Sequence, residues 1–296
     1  MSQTVVAPAR VRTQRQWSIL AWRGLGRLLT YLVILGVGAF VSVPFIWMLS
    51  ASLKDESQIF ASPPIWIPVP VHWHNYPEAM VLLPFGTFLK NSVIVTGGAL
   101  IGEVLSCSLV AYGFARLRFP GKGPLFICVL ATILLPVYAI AIPRFILFRQ
   151  LGWTNTLLPL TIPAFFGGSA FFIFLFRQFF LTIPFELEDA ARIDGASTLT
   201  CYSRIILPMS KPVLGAVAIF SFVFHWNDFF FPLIYLNSQQ NYTLSIGLNM
   251  LRVSQGGMRW NYLMAASCAI LLPCLLLFFF FQRIFIQGVV FTGVKG

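Results

Sequence analysis

Charged residues are scarce in this sequence. Only 10% of the 296 residues are Asp, Glu, Lys or Arg, and nine of them are acidic. Soluble domains are about one quarter charged, so the composition excludes an ordinary soluble protein. Hydrophobic residues make up 58% of the chain, and a membrane-spanning helix needs about 20 consecutive apolar residues. The chain is therefore long enough to hold several spans.

Several kinds of functional site are also missing. There is no Gly-x-x-x-x-Gly-Lys-Ser/Thr loop for a nucleotide phosphate, and the five cysteines have no metal-ligand spacing. His72-Trp73-His74 has alternate histidines but no further ligand. The net charge of +11 comes from scattered basic residues rather than a run beside stacking aromatics, which argues against nucleic acid. We predict no catalytic, cofactor or metal site.

Six long apolar stretches indicate membrane spans. They lack the period-two alternation of barrel strands, and only helices or closed barrels satisfy backbone polar groups in hydrocarbon. The fold class is therefore an all-α polytopic membrane protein with six transmembrane helices. The predicted spans cover residues 28–53, 91–115, 123–143, 157–176, 213–236 and 262–281.

The distribution of basic residues predicts the orientation. With the amino terminus inside, fourteen Lys and Arg side chains fall on the cytoplasmic side and six outside, which agrees with the bias of cytoplasmic loops toward positive charge. Both termini are expected in the cytoplasm. The organisation is a basic tail at 1–27, a first transmembrane helix at 28–53, a proline-rich external loop at 54–86, a five-helix core at 87–286 with a cytoplasmic loop at 182–210, and a cytoplasmic tail at 287–296.

The cytoplasmic loop between spans four and five predicts a short helix and a turn. Pro184 suits a first helical turn, and acidic residues follow it where the helix dipole is positive. Gly195 can take the left-handed conformation that ends a helix. A mainly small surface, spaced three and four residues apart, is formed by Leu187, Ala190, Ala191 and Asp194.

This loop resembles the signature loop of permeases from binding-protein-dependent ABC importers. The family pattern is Glu-Ala-Ala, three residues, Gly, nine residues and Ile-x-Leu-Pro. Here Asp189-Ala190-Ala191, Gly195 and Ile205-Ile206-Leu207-Pro208 stand at those distances, with Asp189 in place of Glu. The resemblance implies a type I ABC importer permease fold and a coupling helix that docks on an ATP-binding subunit. The implied coupling residues are Glu188, Asp189, Ala190, Ala191, Asp194, Gly195, Ile205, Leu207 and Pro208.

Other short motifs are similar to the sugar-uptake branch, in particular to the smaller maltose-transporter-type subunit. They are Ser52-Leu53-Lys54, Arg118-Phe119-Pro120-Gly121-Lys122, Trp226-Asn227-Asp228 and the terminal Gly293-Val294-Lys295-Gly296. This resemblance implies a subunit, without enzyme activity, that moves an oligosaccharide, a glycosylated polyol or a glycerol phosphate across the bacterial cytoplasmic membrane. It further implies that loop 237–261 reaches the binding protein and that the residues after Phe285 reach the ATP-binding subunits.

The implied partners are a second, different permease subunit, two ATP-binding cassette subunits that use ATP and Mg, an extracytoplasmic solute-binding protein and the lipid bilayer. Two functions of other classes compete with this interpretation. A multi-span membrane enzyme would need clustered acids or a nucleophile and base, and neither is visible. A lone ion-coupled carrier predicts internal repeats, and we find no convincing one.

Ionisable residues at membrane depth suggest a pathway or a buried partner. Glu103 lies in the middle of span two, where it can line a solute path or bond a neighbouring helix. Trp226, Asn227 and Asp228 can contact a sugar, and equally can cap a broken helix. These four residues form the candidate solute pathway.

Overall fold

The computed structural model describes residues 14–252 and 259–293, with side chains for Trp22, 25–252 and 259–282. The described residues are helical or irregular and include no strand. The helices are α1 (Gln14–Ser52), α2 (Glu56–Ile59), α3 (Asn75–Leu82), α4 (Phe85–Arg116), α5 (Lys122–Ala131), α6 (Ala141–Gln150), α7 (Leu158–Thr161), α8 (Ala170–Phe180), α9 (Glu186–Ile193), α10 (Thr198–Cys201), α11 (Leu207–Met209), α12 (Lys211–Asn227), α13 (Phe230–Tyr235), α14 (Leu244–Arg252) and α15 (Trp260–Gly293).

Helix α4 is the centre of the bundle. It packs against α8, α12 and the 3₁₀ segment Ile162–Phe166. Gly102 allows the contact between α4 and Ile162–Phe166, because a Cβ atom there would lie 2.7 Å from the ring of Phe165. A buried cluster that includes Tyr112, Phe176 and Val217 joins α4, α8 and α12 toward the end where α4 finishes. We call this the Arg116 end of the bundle.

Helix α1 lies at the edge of this bundle. Every side chain from residue 25 to residue 46 is exposed, and the helix packs along α15. It begins before the predicted first span, and residues 1–13 of the predicted basic tail lie outside the described part of the chain. Helix α15 likewise continues past the predicted end of span six and includes residues 287–293 of the predicted tail.

Three predicted spans are not continuous helices. The stretch 123–143 leaves α5 through a 3₁₀ turn at Thr132–Leu134 and resumes as helix only at α6. The stretch 157–176 breaks after Phe166, where Gly167 has φ +76°. The stretch 213–236 breaks at Asp228, between α12 and α13. Apolar segments stand on both sides of each break, so hydropathy averaged over a whole span does not locate it. Two of the breaks nevertheless fall at small or polar residues, Gly167-Gly168-Ser169 and Asn227-Asp228.

Four segments in the described part of the chain are long and apolar enough to cross a membrane: Leu25–Ser52, Phe85–Arg116, Leu158–Phe180 and Trp260–Gln282. A fifth arises if the pair Thr198–Met209 and Lys211–Asn227, bent by 79°, counts as one span. Helix Lys122–Leu134 is apolar but shorter. The polytopic all-helical class is confirmed, while the number of six spans stays a prediction.

The proline-rich segment 54–86, which the sequence predicts to be a loop rather than a helix, includes helices α2 and α3. Pro77 is accommodated in the first turn of α3, where its missing N–H costs no hydrogen bond. Asn75 Nδ2 donates to the carbonyl oxygens of Ser52 and Lys54 at 2.9 and 2.8 Å. The segment is therefore attached to the end of α1.

Candidate functional site: an exposed loop helix and a buried cavity

The loop that carries the signature folds as predicted. Helix α9 begins at Glu186 and ends at Ile193, with three acidic residues in its first turn. Gly195 has φ +84°, and its amide donates to the carbonyl of Arg192 at 3.0 Å. A residue with a Cβ atom is strained in this conformation, so the sequence places glycine at the turn. Ser197 then caps α10 by accepting from the amide of Thr200.

The outer surface of this loop is exposed and partly apolar. Asp189, Ala190, Asp194 and Gly195 are exposed, and Ala191 is half-buried. Ile193 is 87% exposed, although it is not among the coupling residues that the resemblance implies. Leu187 and Leu199 are also exposed. An apolar patch of this kind beside small and acidic side chains is typical of a protein-binding surface.

Glu188 points the other way, into the bundle. Its carboxylate lies 3.0 Å from Nε of Arg116, and both side chains are almost entirely buried. Tyr112 donates its hydroxyl to the same carboxylate at 3.0 Å, and Nη2 of Arg116 donates to the carbonyl of Ile183 at 2.6 Å. We call Tyr112, Arg116 and Glu188 the anchor cluster. It ties α9 to the end of α4.

A second contact ties the following turn to α4. The hydroxyls of Ser108 and Tyr202 are 2.8 Å apart and buried. Tyr202 opens the π-helical segment Tyr202–Ile206, which leads into α11. Ile205 and Leu207 are half-buried there and Pro208 is exposed. The signature loop is therefore attached to α4 by these contacts, as well as to α8 and α12 by the chain.

A cavity of about 600 Å³ lies deeper in the bundle, beside the middle of α4. The three helix breaks meet around it, because its wall includes Leu135, Gly168 and Asp228. Irregular backbone at membrane depth is tolerated where it lines a cavity rather than lipid. An adjoining cavity shares Val137, Phe224, Asp228 and Phe231 with the first.

Four acidic or basic side chains line the first cavity: Glu103, Arg144, His225 and Asp228. Nε2 of His225 lies 3.3 Å from Oε1 of Glu103, which joins α12 to α4. The Arg144 guanidinium lies over the ring of Phe231, 5.0 Å from its centre. Glu103 and Asp228 were predicted from their charge at membrane depth. His225 is a lone histidine in an apolar stretch and Arg144 has the pattern of a loop charge, so neither was predicted.

The motif Trp226-Asn227-Asp228 divides into three different roles. Trp226 is buried, stacks on Phe222 and donates its indole N–H to the carbonyl of Ile270 at 3.1 Å, so it packs α12 on α15. Asn227 bonds the carbonyl of Val223 in its own helix and lines the adjoining cavity. Asp228 lines both cavities and also accepts from the amide of Phe231 at 3.3 Å, as expected for a helix cap.

Comparison with known proteins identifies the family. Residues 106–290 match the model of the binding-protein-dependent transport system inner membrane component, and this stretch contains the signature loop and most of the cavity wall. The chain belongs to this family. It is thus a membrane component of a transport system, and the prediction of a transporter subunit rather than an enzyme is confirmed.

Two relatives of this transport component match nearly the whole chain. The sn-glycerol-3-phosphate transport system permease protein UgpE of Yersinia pestis is 32% identical over 275 residues, covering 90% of this chain and 97% of the relative. The arabinooligosaccharides transport system permease protein AraQ of Halalkalibacterium halodurans is 32% identical over 278 residues, covering 91% and 98%. The names of the two relatives thus refer to the transport of different solutes.

A solved structure supports the fold of the permease. A chain of a bacterial ABC transporter involved in the import of the acidic polysaccharide alginate has a TM-score of 0.75 and 20% identity, covering 94% of this chain and 99% of that chain. At this identity the likeness shows the fold, which is that of an ABC importer.

Proposed function

We propose that this chain is one of two different permease subunits of an ATP-driven importer for a carbohydrate or sugar-like solute in the bacterial cytoplasmic membrane. The single observation that carries the proposal is the exposed α9 surface, joined to α4 through the buried anchor cluster. Two ATP-binding cassette subunits, which use ATP and Mg, dock on α9 and its counterpart in the other permease. Both termini lie on this cytoplasmic side.

The geometry supplies a path for force between the docking surface and the cavity. Arg116 in the anchor cluster and Glu103 in the cavity wall lie on the same continuous helix, about 20 Å apart along its axis. Closure of the ATP-binding subunits moves α9, and the buried ion pair makes α4 follow because an unpaired buried charge is strongly unfavourable. Alternating access at the cavity then results from motion of α4 relative to α8 and α12.

The other partners follow from the same arrangement. Loop 237–261 is the contact for an extracytoplasmic solute-binding protein. Its described part contains α14, and the carbonyls of Gln240 and Tyr242 accept from Asn91 near the start of α4, whereas α9 lies at the Arg116 end. Residues after Phe285 are the further contact with the ATP-binding subunits. Glu103, Asn227 and Asp228 belong to the solute pathway. Trp226 supports that pathway through packing, because its side chain is buried between α12 and α15.

The test uses the complete complex in liposomes and the variant Ile193→Asp. Ile193 is exposed, so the charge leaves the fold intact but opposes docking of an apolar surface. We expect ATP-dependent uptake and stimulated ATP hydrolysis to fall at least about tenfold, with reduced co-purification of the ATP-binding subunit. Ser57→Asp, exposed in α2, is the control.

Unchanged uptake and hydrolysis in Ile193→Asp would contradict docking through α9. Solute uptake by the purified chain without an ATP-binding partner would favour the lone carrier instead.

A further inference from the structure

Three basic side chains cluster where α4 ends and α5 begins. Lys122, the first residue of α5, donates its ammonium group to the carbonyl oxygen of Leu117 at 2.8 Å. Arg177 of α8 donates Nε to the carbonyl oxygen of Phe114 at 3.2 Å. Arg118 is exposed in the turn between α4 and α5. We call Arg118, Lys122 and Arg177 the basic patch.

The basic patch has no counter-ion in the part of the chain whose side chains the structure describes. None of its members belongs to an ion pair there, and the charges of Arg177 and Arg118 both repel Lys122. The Arg177 guanidinium is held over the ring of Phe126, 4.2 Å from its centre. Like charges held close together are unfavourable where water is limited, so the patch is complementary to an anion.

The basic patch borders apolar surface. It follows the long apolar segment Phe85–Arg116, and the apolar helix Lys122–Leu134 begins at it. Leu125, one turn into α5, is 52% exposed, and Phe119 in the turn is 37% exposed. Basic groups beside apolar side chains at the end of a span lie at the depth of the lipid headgroups, and phosphate oxygens accept charge-assisted hydrogen bonds from both Lys and Arg.

We propose that the basic patch binds the phosphate of an anionic phospholipid. Arg118, Lys122 and Arg177 bind the headgroup oxygens, while Phe119 and Leu125 contact the adjoining part of the acyl chains. The lipid supplies the counter-ion that the described side chains lack, and it binds beside the end of α4 that carries the anchor cluster. This inference goes beyond the proposed function, because it concerns neither the solute nor the ATP-binding subunits.

The test measures lipid binding to the complete transporter by native mass spectrometry. The detergent-solubilised complex is titrated with phosphatidylglycerol and, separately, with phosphatidylcholine of the same acyl chains, which separates an anionic from a zwitterionic headgroup. Inorganic phosphate is added as a competitor, to distinguish a lipid site from a site for any phosphate. The variants are Arg118→Gln and the double variant Arg118→Gln/Lys122→Gln, in which glutamine retains a donor for the α4 carbonyl. Lys211→Gln, at an exposed residue that begins α12, removes one charge elsewhere and is the matched control.

We expect the native complex to bind phosphatidylglycerol in preference to phosphatidylcholine, without displacement by inorganic phosphate at equal concentration. The dissociation constant of one phosphatidylglycerol should rise about fivefold in Arg118→Gln and about twenty-five-fold in the double variant, because each removed charge weakens the attraction to an anionic headgroup by about that factor. Lys211→Gln should bind this lipid as the native complex does.

Equal binding by the native complex and the double variant would overturn the site. So would an equal loss in Lys211→Gln, which would show only a general attraction of anionic lipid to basic residues. Displacement by inorganic phosphate would assign a general anion site instead, and loss of the ATP-binding subunit from the double variant would assign the patch to protein docking.

Thermal unfolding of the same samples checks the fold of each variant. Arg118 is exposed and has no ion pair among the described residues, so Arg118→Gln should unfold at the native temperature and its lipid affinity can be judged by itself. Since lipid binding is the readout, the result does not depend on whether the importer proposal holds.

Discussion

At the scale of single residues, Glu188 shows how position changes the role of a signature residue. Its neighbours Asp189 and Ala190 are exposed, whereas its own carboxylate is buried against Arg116 and Tyr112. A buried ion pair adds little net stability, but removal of one partner leaves an uncompensated charge. Glu188 is therefore placed to hold α9 on α4, and the proposed docking is expected to use the exposed side chains of α9.

This arrangement predicts that the two glutamates of α9 differ in their effect on stability when they are replaced. Glu188→Gln should destabilise the folded chain by about 3–5 kcal/mol, because the buried Arg116 loses its counter-ion. Glu186→Gln, which is exposed, should change stability by less than about 0.5 kcal/mol. Thermal unfolding of the detergent-solubilised complex measures both. Equal effects of the two variants would show that the anchor cluster does not hold α9.

Gly195 provides a second residue-scale prediction. Its φ of +84° strains any residue with a Cβ atom, whereas the space around it is open. Gly195→Val should therefore cost about 1–2 kcal/mol locally and reduce ATP-coupled uptake. Gly195→Asn, which tolerates this conformation better, should retain more uptake. If both variants lose uptake equally, side-chain volume at the docking surface matters more than backbone conformation.

At the scale of elements, α4 connects the signature loop to the cavity, and it packs closely against Ile162–Phe166, which contributes to the cavity wall. A Cβ atom on Gly102 would lie 2.7 Å from Phe165 and 3.0 Å from the backbone of Ala164. Gly102→Val should force the two segments apart, cost about 1–3 kcal/mol and impair uptake. Gly97→Val in the same helix meets open space and is the control. Equal uptake in the two variants would argue against this contact.

Asn155 joins the loop between α6 and α7 to the loop between α13 and α14. Its Oδ1 accepts from the amides of Asn237 and Ser238 at 3.0 and 2.9 Å, and its own φ is +60°. Asn155→Ala should lose both hydrogen bonds, about 1 kcal/mol each, and add backbone strain. Asn155→Gly should lose only the hydrogen bonds. Limited proteolysis within residues 237–252 should be fastest for Ala, and the reverse order would contradict the strain argument.

At the scale of the whole molecule, local patterns predicted the helical class, the signature loop and the left-handed turn at Gly195. Each of these features depends on residues that are close together in the sequence. The cavity depends on contacts between α4, α12 and the segment before α6, so Arg144 and His225 had no local signal that linked them to Glu103. The breaks at 135–140 and 167–169 lie between apolar segments, and their residues, among them Pro136 and Gly167-Gly168-Ser169, permit a break without requiring one.

The three breaks also have a consequence for the time scale of backbone opening. Continuous helices in lipid retain their amide protons for long periods, because every N–H is bonded within the helix and water is absent. Amides at 135, 137–140, 167–169 and 228–229 lie outside regular helices, in segments that contribute to the cavity wall. In nanodiscs they should exchange with deuterium well before the flanking amides of α4, so that fast exchange would trace the route of water through the protein.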